Sequence, residues 1–179
     1  MSKTSFLFQG IDLEVNILQD VKRTISTSGA NVLITSAYLR RRAVEELAPT
    51  LKQVGQLGKV LVGIRNGATS AQALTALVKT GVHVYVVDTG ATELIFHPKF
   101  YAAYTENSAT LICGSANFTP SGLWRNFESV TTTELDLENE DDYLAWSSVL
   151  DAIEKVLNLD TQNVFEVRDV SIVNELLAS

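Results

Sequence analysis

Three short stretches of this chain gather residue types that can act on a phosphate group: His97-Pro98-Lys99, Gly114-Ser115-Ala116-Asn117 and, eleven residues past the asparagine, Glu128. In an extended chain alternate side chains share a face, so His97 and Lys99 aim an imidazole and an ammonium at one spot while Pro98 points away. Glycine at 114 permits tight backbone geometry, after which a hydroxyl and an amide are presented. If the two stretches pair as a hairpin, a cation, two neutral hydrogen-bonding groups and a histidine able to bond covalently to phosphorus meet at one end of a sheet.

The elements that would hold these residues follow from periodicity. Helical and strand patterns alternate through the first half, the order expected of an α/β fold with a mixed sheet flanked by helices. Residues 11–27 place Leu13, Ile17, Val21 and Ile25 on one face of a helix, and 31–39 (NVLITSAYL) read as a strand. A second helix is expected over 40–56, kinked or divided at Pro49, then a strand over 59–65. A third helix over 69–80, capped by Thr69 or Ser70 and closed by Gly81, leads to a strand over 82–87. The stretches ELIFHPKFYAAYT and ATLICGS read as a hairpin, FESVTTTEL as a further strand, 139–157 as a helix and VRDVSIVNELLA as a short helix.

The chain of 179 residues has the size of one domain, and its 46% hydrophobic content supplies one substantial core. No stretch approaches the length of a bilayer span, and the N-terminus lacks a signal-peptide pattern, so a soluble cytoplasmic protein is expected. The single Cys113 follows an apolar run and reads as a buried strand cysteine. The net charge of −7 is unevenly spread: residues 134–179 hold twelve acids against two bases, which leaves residues 1–133 at +3. An anionic substrate is therefore allowed, and the acidic segment from about residue 134 is expected to face solvent or cover a neighbour.

With these residues in view, the chain resembles the phospholipase D superfamily, whose signature is His-x-Lys followed across a short hairpin by Gly-Ser-x-Asn. The resemblance is sharpest over residues 94–130 and closest to the compact metal-independent nucleases and type II restriction endonucleases of that superfamily, where a glutamate lies about ten residues past the asparagine. One departure is Tyr104, where the fuller motif has an aspartate. The other is copy number: complete sites use two His-x-Lys motifs, whereas this chain has two histidines in all, and His83 in VHVYV has no lysine two residues on. His83 therefore reads as structural, and one motif per chain implies a homodimer with two chains per site.

The resemblance further implies that His97 of one subunit attacks phosphorus and that His97 of the other protonates the leaving oxygen, with no metal or other cofactor. Lys99, Ser115 and Asn117 would hold the non-bridging oxygens, and Glu128 would accept the second imidazole N–H of His97. Around this group, Arg65, Trp124 and Arg125 are candidate substrate contacts, with Trp124 equally suited to a dimer seam and Arg65 to a plain surface. Arg40, Arg41 and Arg42 suit either a nucleic-acid backbone or a solvated helix start. The resulting expectation is a DNA nuclease of restriction or phage-defence type. Its alternatives are an accessory module of a larger defence or helicase complex and a phospholipid phosphodiesterase; no basic amphipathic segment for membrane docking is evident.

Overall fold

The computed structural model describes residues 2–179 apart from Leu13, Arg65, Asn66, Ala68, Thr92, 160–162, Asn174, Glu175 and 177–179. Its frame is one eight-stranded sheet in the order β1-β7-β6-β5-β2-β3-β4-β8. The strands are β1 (Lys3–Gln9), β2 (Asn31–Ser36), β3 (Gly58–Gly63), β4 (His83–Val87), β5 (Phe100–Tyr104), β6 (Ser108–Gly114), β7 (Glu128–Asp136) and β8 (Val164–Glu166). β2, β3 and β4 run parallel and every other pairing is antiparallel, the mixed sheet that the alternating pattern predicts.

Parallel neighbours need crossovers, and helices α2 (Arg41–Val54) and α3 (Ala71–Val78) supply them, while α1 (Ile17–Ile25) carries the chain from the edge strand β1 across to β2. Their apolar stripes pack with one sheet face into the larger core, which holds Ile17, Val21, Leu47, Leu51, Leu74, Val60 and Val84. Helix α4 (Glu140–Leu157) covers part of the other face through Trp146 and Ile153, against Leu33, Leu61 and Ala102. The acidic segment thus takes in the end of β7, α4 and β8, with α4 anchored on the sheet and most of its acids exposed.

Several boundaries differ from the sequence expectation for local reasons. α1 begins at Ile17 because the Asn16 side chain caps it, accepting from Gln19 N–H at 3.2 Å; Leu13 lies outside the described residues. α2 runs unbroken through Pro49, since the bond that proline forfeits is to Glu45 and both residues are exposed, leaving that carbonyl to water. β1 and the three-residue β8 escape the periodicity reading, although β1 alternates Phe6 and Phe8 with Leu7 and Gln9. In the C-terminal segment Val167–Asp169 are not helical, contrary to the expected helix, and Val170–Ile172 form a 3-10 turn; Val173 and Leu176 are helical, and 174, 175, 177 and 178 lie outside the described residues.

Of two side-chain expectations, that of a buried Cys113 is corrected, while His83 has the structural place expected of it. Cys113 is exposed, because it lies on the part of β6 that α4 does not reach. His83 has a polar partner from a distant strand: its Nδ1 lies 2.9 Å from Glu166 Oε1, pinning β8 to β4. That pair and Arg168 hold the Glu166 carboxyl below its ordinary range. Among the described residues no helix is long and apolar enough to cross a membrane.

Candidate active site

The candidate residues gather where β2 and β6 end and β5 and β7 begin. β5 pairs with β6 so that Phe100 faces Cys113, which sets Lys99 beside Gly114, whose N–H donates to Lys99 O at 3.4 Å. His97 and Lys99 are not within the strand: Pro98 supplies no N–H to a ladder, and pairing starts at Phe100. The two side chains nevertheless meet, with Lys99 Nζ 2.9 Å from His97 Nδ1 and 3.3 Å from Nε2, and donating to His97 O at 3.2 Å. Tyr38 adds an edge-on ring contact to His97 at 5.9 Å.

β6 can run this close to β7 only because residue 114 is glycine. A Cβ there would stand 2.2 Å from Ser129 O and 2.8 Å from Val130 Cα, far inside contact distance. Beyond it the side chains alternate between solvent and core: Ser115 is exposed, Ala116 buried, Asn117 half-buried and Phe118 buried. Tyr101 anchors the buried pair, donating from its hydroxyl to Ala116 O at 3.2 Å and stacking edge-on against Phe118 at 6.2 Å. Burial and the nearby Glu128 charge keep the Tyr101 hydroxyl well above its ordinary pKa, so it stays protonated as a donor.

The end of β2 ties to the same loop. Ser36 Oγ accepts from Phe118 N–H at 2.8 Å and donates to Tyr38 O at 2.7 Å, while Tyr38 N–H donates to Asn117 Oδ1 at 3.3 Å. Asn117 is thereby oriented through its oxygen, which leaves its amide N–H groups as donors. Behind it a single π-helical turn, Ser121–Arg125, closes tightly. Gly122 makes this closure feasible, since a Cβ there would lie 2.4 Å from Asn117 O and 2.6 Å from Asn117 N.

Glu128, first residue of β7, faces Ser115. The Ser115 hydroxyl donates to Glu128 Oε2 and accepts from Ser129 N–H at 3.1 Å, and Asn126 Nδ2 donates to Glu128 Oε1 at 3.4 Å. The expected bond from His97 to Glu128 is not made within the chain: the imidazole nitrogens face Lys99 and the carboxylate holds Ser115. Electrostatics still link the group. Partial burial lowers the Lys99 pKa, and Glu128 and Cys113 partly offset the shift. Partial burial, then the Lys99 charge, lowers the His97 pKa, so the ring is neutral at neutral pH with a lone pair available.

His97 and Ser115 stand exposed. Among the outlying candidates, Trp124 is half-buried and packs on the larger core, and Arg125 is exposed. Arg65 lies outside the described residues. Arg41 is engaged with Glu45 at 2.7 Å, while Arg40 and Arg42 are exposed at the site end of β2. Sequence reasoning missed Gln9, 1% exposed at the end of β1. Its Oε1 accepts from Ile17 N–H at 2.9 Å and its Nε2 donates to Gly122 O at 3.2 Å and Asn126 O at 3.1 Å, which locks α1, β1 and the π turn together. The one hint is a glutamine in the inward position of an alternating strand.

Among the described residues no cluster of three or more His, Cys, Asp or Glu is placed to hold a metal ion. In sequence, residues 21–141 match the family described as cardiolipin synthase, PLD-like domain. No curated protein sequence matches the chain. In structure it is similar to Nuc from Salmonella typhimurium, a phospholipase D family member (17% identity, TM-score 0.67, covering 94% of this chain and 100% of that one). NucT from Helicobacter pylori is similar too (15% identity, TM-score 0.62, 86% and 97% covered). Phosphatidylserine synthase from Haemophilus influenzae aligns with 99% of this chain but only 42% of its own (16% identity, TM-score 0.62).

Proposed function

The chain belongs to the cardiolipin synthase, PLD-like domain family, and from that premise we propose that it is a metal-independent phosphodiesterase acting on DNA at a site shared by two copies of the chain. The observation that carries this reading is the convergence of His97, Lys99, Ser115, Asn117 and Glu128 at one end of the sheet, with the Lys99 ammonium against a neutral imidazole.

In the first step an imidazole nitrogen of a neutral His97 attacks phosphorus, and the bond to the leaving oxygen breaks as that oxygen takes a proton from the partner's His97, which enters the step protonated, so that the two rings hold one proton between them. In the second, the partner's His97 removes a proton from water, which attacks the phosphohistidine and frees the ring. Lys99 and the amide N–H groups of Asn117 hold the non-bridging oxygens as negative charge builds, and Glu128 fixes the Ser115 hydroxyl beside them. Two imidazoles on opposite sides of one phosphorus are needed, and each chain supplies one in this setting.

DNA is favoured over lipid because the part of the chain that carries the site has a net positive charge and exposes Arg40, Arg42 and Arg125. A role in restriction or phage defence is the finer form of this reading. Its test is an assay in EDTA on DNA, RNA, phosphatidylcholine and bis-p-nitrophenyl phosphate. Hydrolysis of DNA and the small diester that persists in EDTA and is lost in His97→Ala is expected. Abolition by chelation, or a lipid preference, contradicts it.

A further inference from the structure

The two edges of the sheet are built differently. β8 is three residues long, carries Glu166 paired to His83 and Arg168, and so offers little to a foreign strand. β1 is seven residues long and stands at the outer edge of the sheet, and toward the site end the face it shares with β7 opposite the larger core is exposed. Leu7 turns inward to that core, which leaves Phe6 and Phe8 on the other face opposite Thr131 and Ser129. α4 does not reach them: the cluster beneath it takes in Leu111 and Leu135 but no residue of β1.

Phe8 lies 6.4 Å from Phe127, ring centre to ring centre, and Ile11 follows just past the strand. Phe6, Phe8, Ile11 and Phe127 are 66%, 46%, 77% and 70% exposed. Phe8 pairs with Ser129, whose N–H donates to the Ser115 hydroxyl, so this apolar patch lies at the same end of the sheet as the candidate site.

We infer that the patch of Phe6, Phe8, Ile11 and Phe127 is where a second copy of this chain docks, placing its His97 against the first. The inference rests on the shared-site reading, because only a second copy both covers the patch and completes the site beside it. The area fits that occupant. At about 150–250 Å² for a whole aromatic side chain, the exposed parts of the four residues amount to roughly 500 Å². A homodimer interface of standard size buries about 800 Å² per partner, of which about 65% is apolar, again near 500 Å². A twofold contact sets the patch against itself, so each copy covers the other's aromatic rings.

The test uses the full chain with Phe8→Asp and Phe127→Asp together, a second protein with Phe8→Lys and Phe127→Lys, and their mixture, each checked for folding by circular dichroism. Sedimentation should show a wild-type dimer, either variant alone weakened by about 100-fold or more, and a dimer restored in the mixture, where every patch contact joins opposite charges. Hydrolysis of bis-p-nitrophenyl phosphate in EDTA should return with it. Variants that dimerise as tightly as wild type, or folded variants whose mixture stays monomeric, overturn this surface and leave the shared-site reading intact. Loss of single-stranded DNA binding with the dimer unchanged also overturns it, in favour of base stacking. A wild-type monomer that is fully active sinks both.

Discussion

Two effects act on the His97 imidazole in the same direction: partial burial, then the Lys99 ammonium, both of which disfavour a proton on the ring. Titration of the His97 ring by NMR should therefore give a midpoint below the ordinary imidazole value of 6.5. Lys99→Met should move it part of the way back up, because burial remains. Catalysis needs one neutral and one protonated ring, so the rate should peak near that lowered midpoint and fall on both sides of it; a midpoint above the ordinary value contradicts this electrostatic picture. Replacing Glu128 by Gln keeps an acceptor for Ser115 but removes the charge that supports protonated Lys99. The rate should fall on the order of 10²-fold, as for loss of one oxyanion-stabilising group, with little change in melting temperature; an unfolding midpoint that falls with the rate would mark a structural role. Such side chains are legible in the sequence because their chemistry is set by type and spacing. The exposure of Cys113 and the partner of His83 were not, since both depend on where α4 and β8 end.

Between the residues and the sheet, small elements do the positioning. Gly122→Ala places a methyl group inside contact distance of the Asn117 backbone, so Asn117 must shift. Urea unfolding should show a loss of about 1–3 kcal/mol, and kcat should drop further than a substitution of equal cost in α3. Gln9→Ala leaves Ile17 N–H and the Gly122 and Asn126 carbonyls without their partner, at about 1–3 kcal/mol where such groups stay buried. Unchanged stability would show that water replaces the amide. The helices and parallel strands were readable from their 3.6 and 2 periods. β1 was hidden because its inward face holds a polar glutamine, and β8 because three residues show no period. The start of β5 was misplaced because Pro98 interrupts pairing without interrupting the extended chain.

For the molecule as a whole, the mixed sheet brings three stretches spread over residues 97–128 to one end, while the acidic residues of α4 lie on the opposite face. The single His-x-Lys motif is plain in the sequence, and it is the count of one that calls for a second chain. What the sequence could not display is a surface for that chain, because the apolar residues of β1 and Phe127 meet only after β1 joins β7. The account therefore stands on shared catalysis, and subunit mixing tests it most directly. Wild-type and His97→Ala chains are exchanged at a range of ratios, and metal-free hydrolysis of bis-p-nitrophenyl phosphate is measured for each. Activity should fall as the square of the wild-type fraction, because a mixed pair lacks one of its two imidazoles. Activity that falls in simple proportion to the wild-type fraction would show that each chain works alone and would contradict the account.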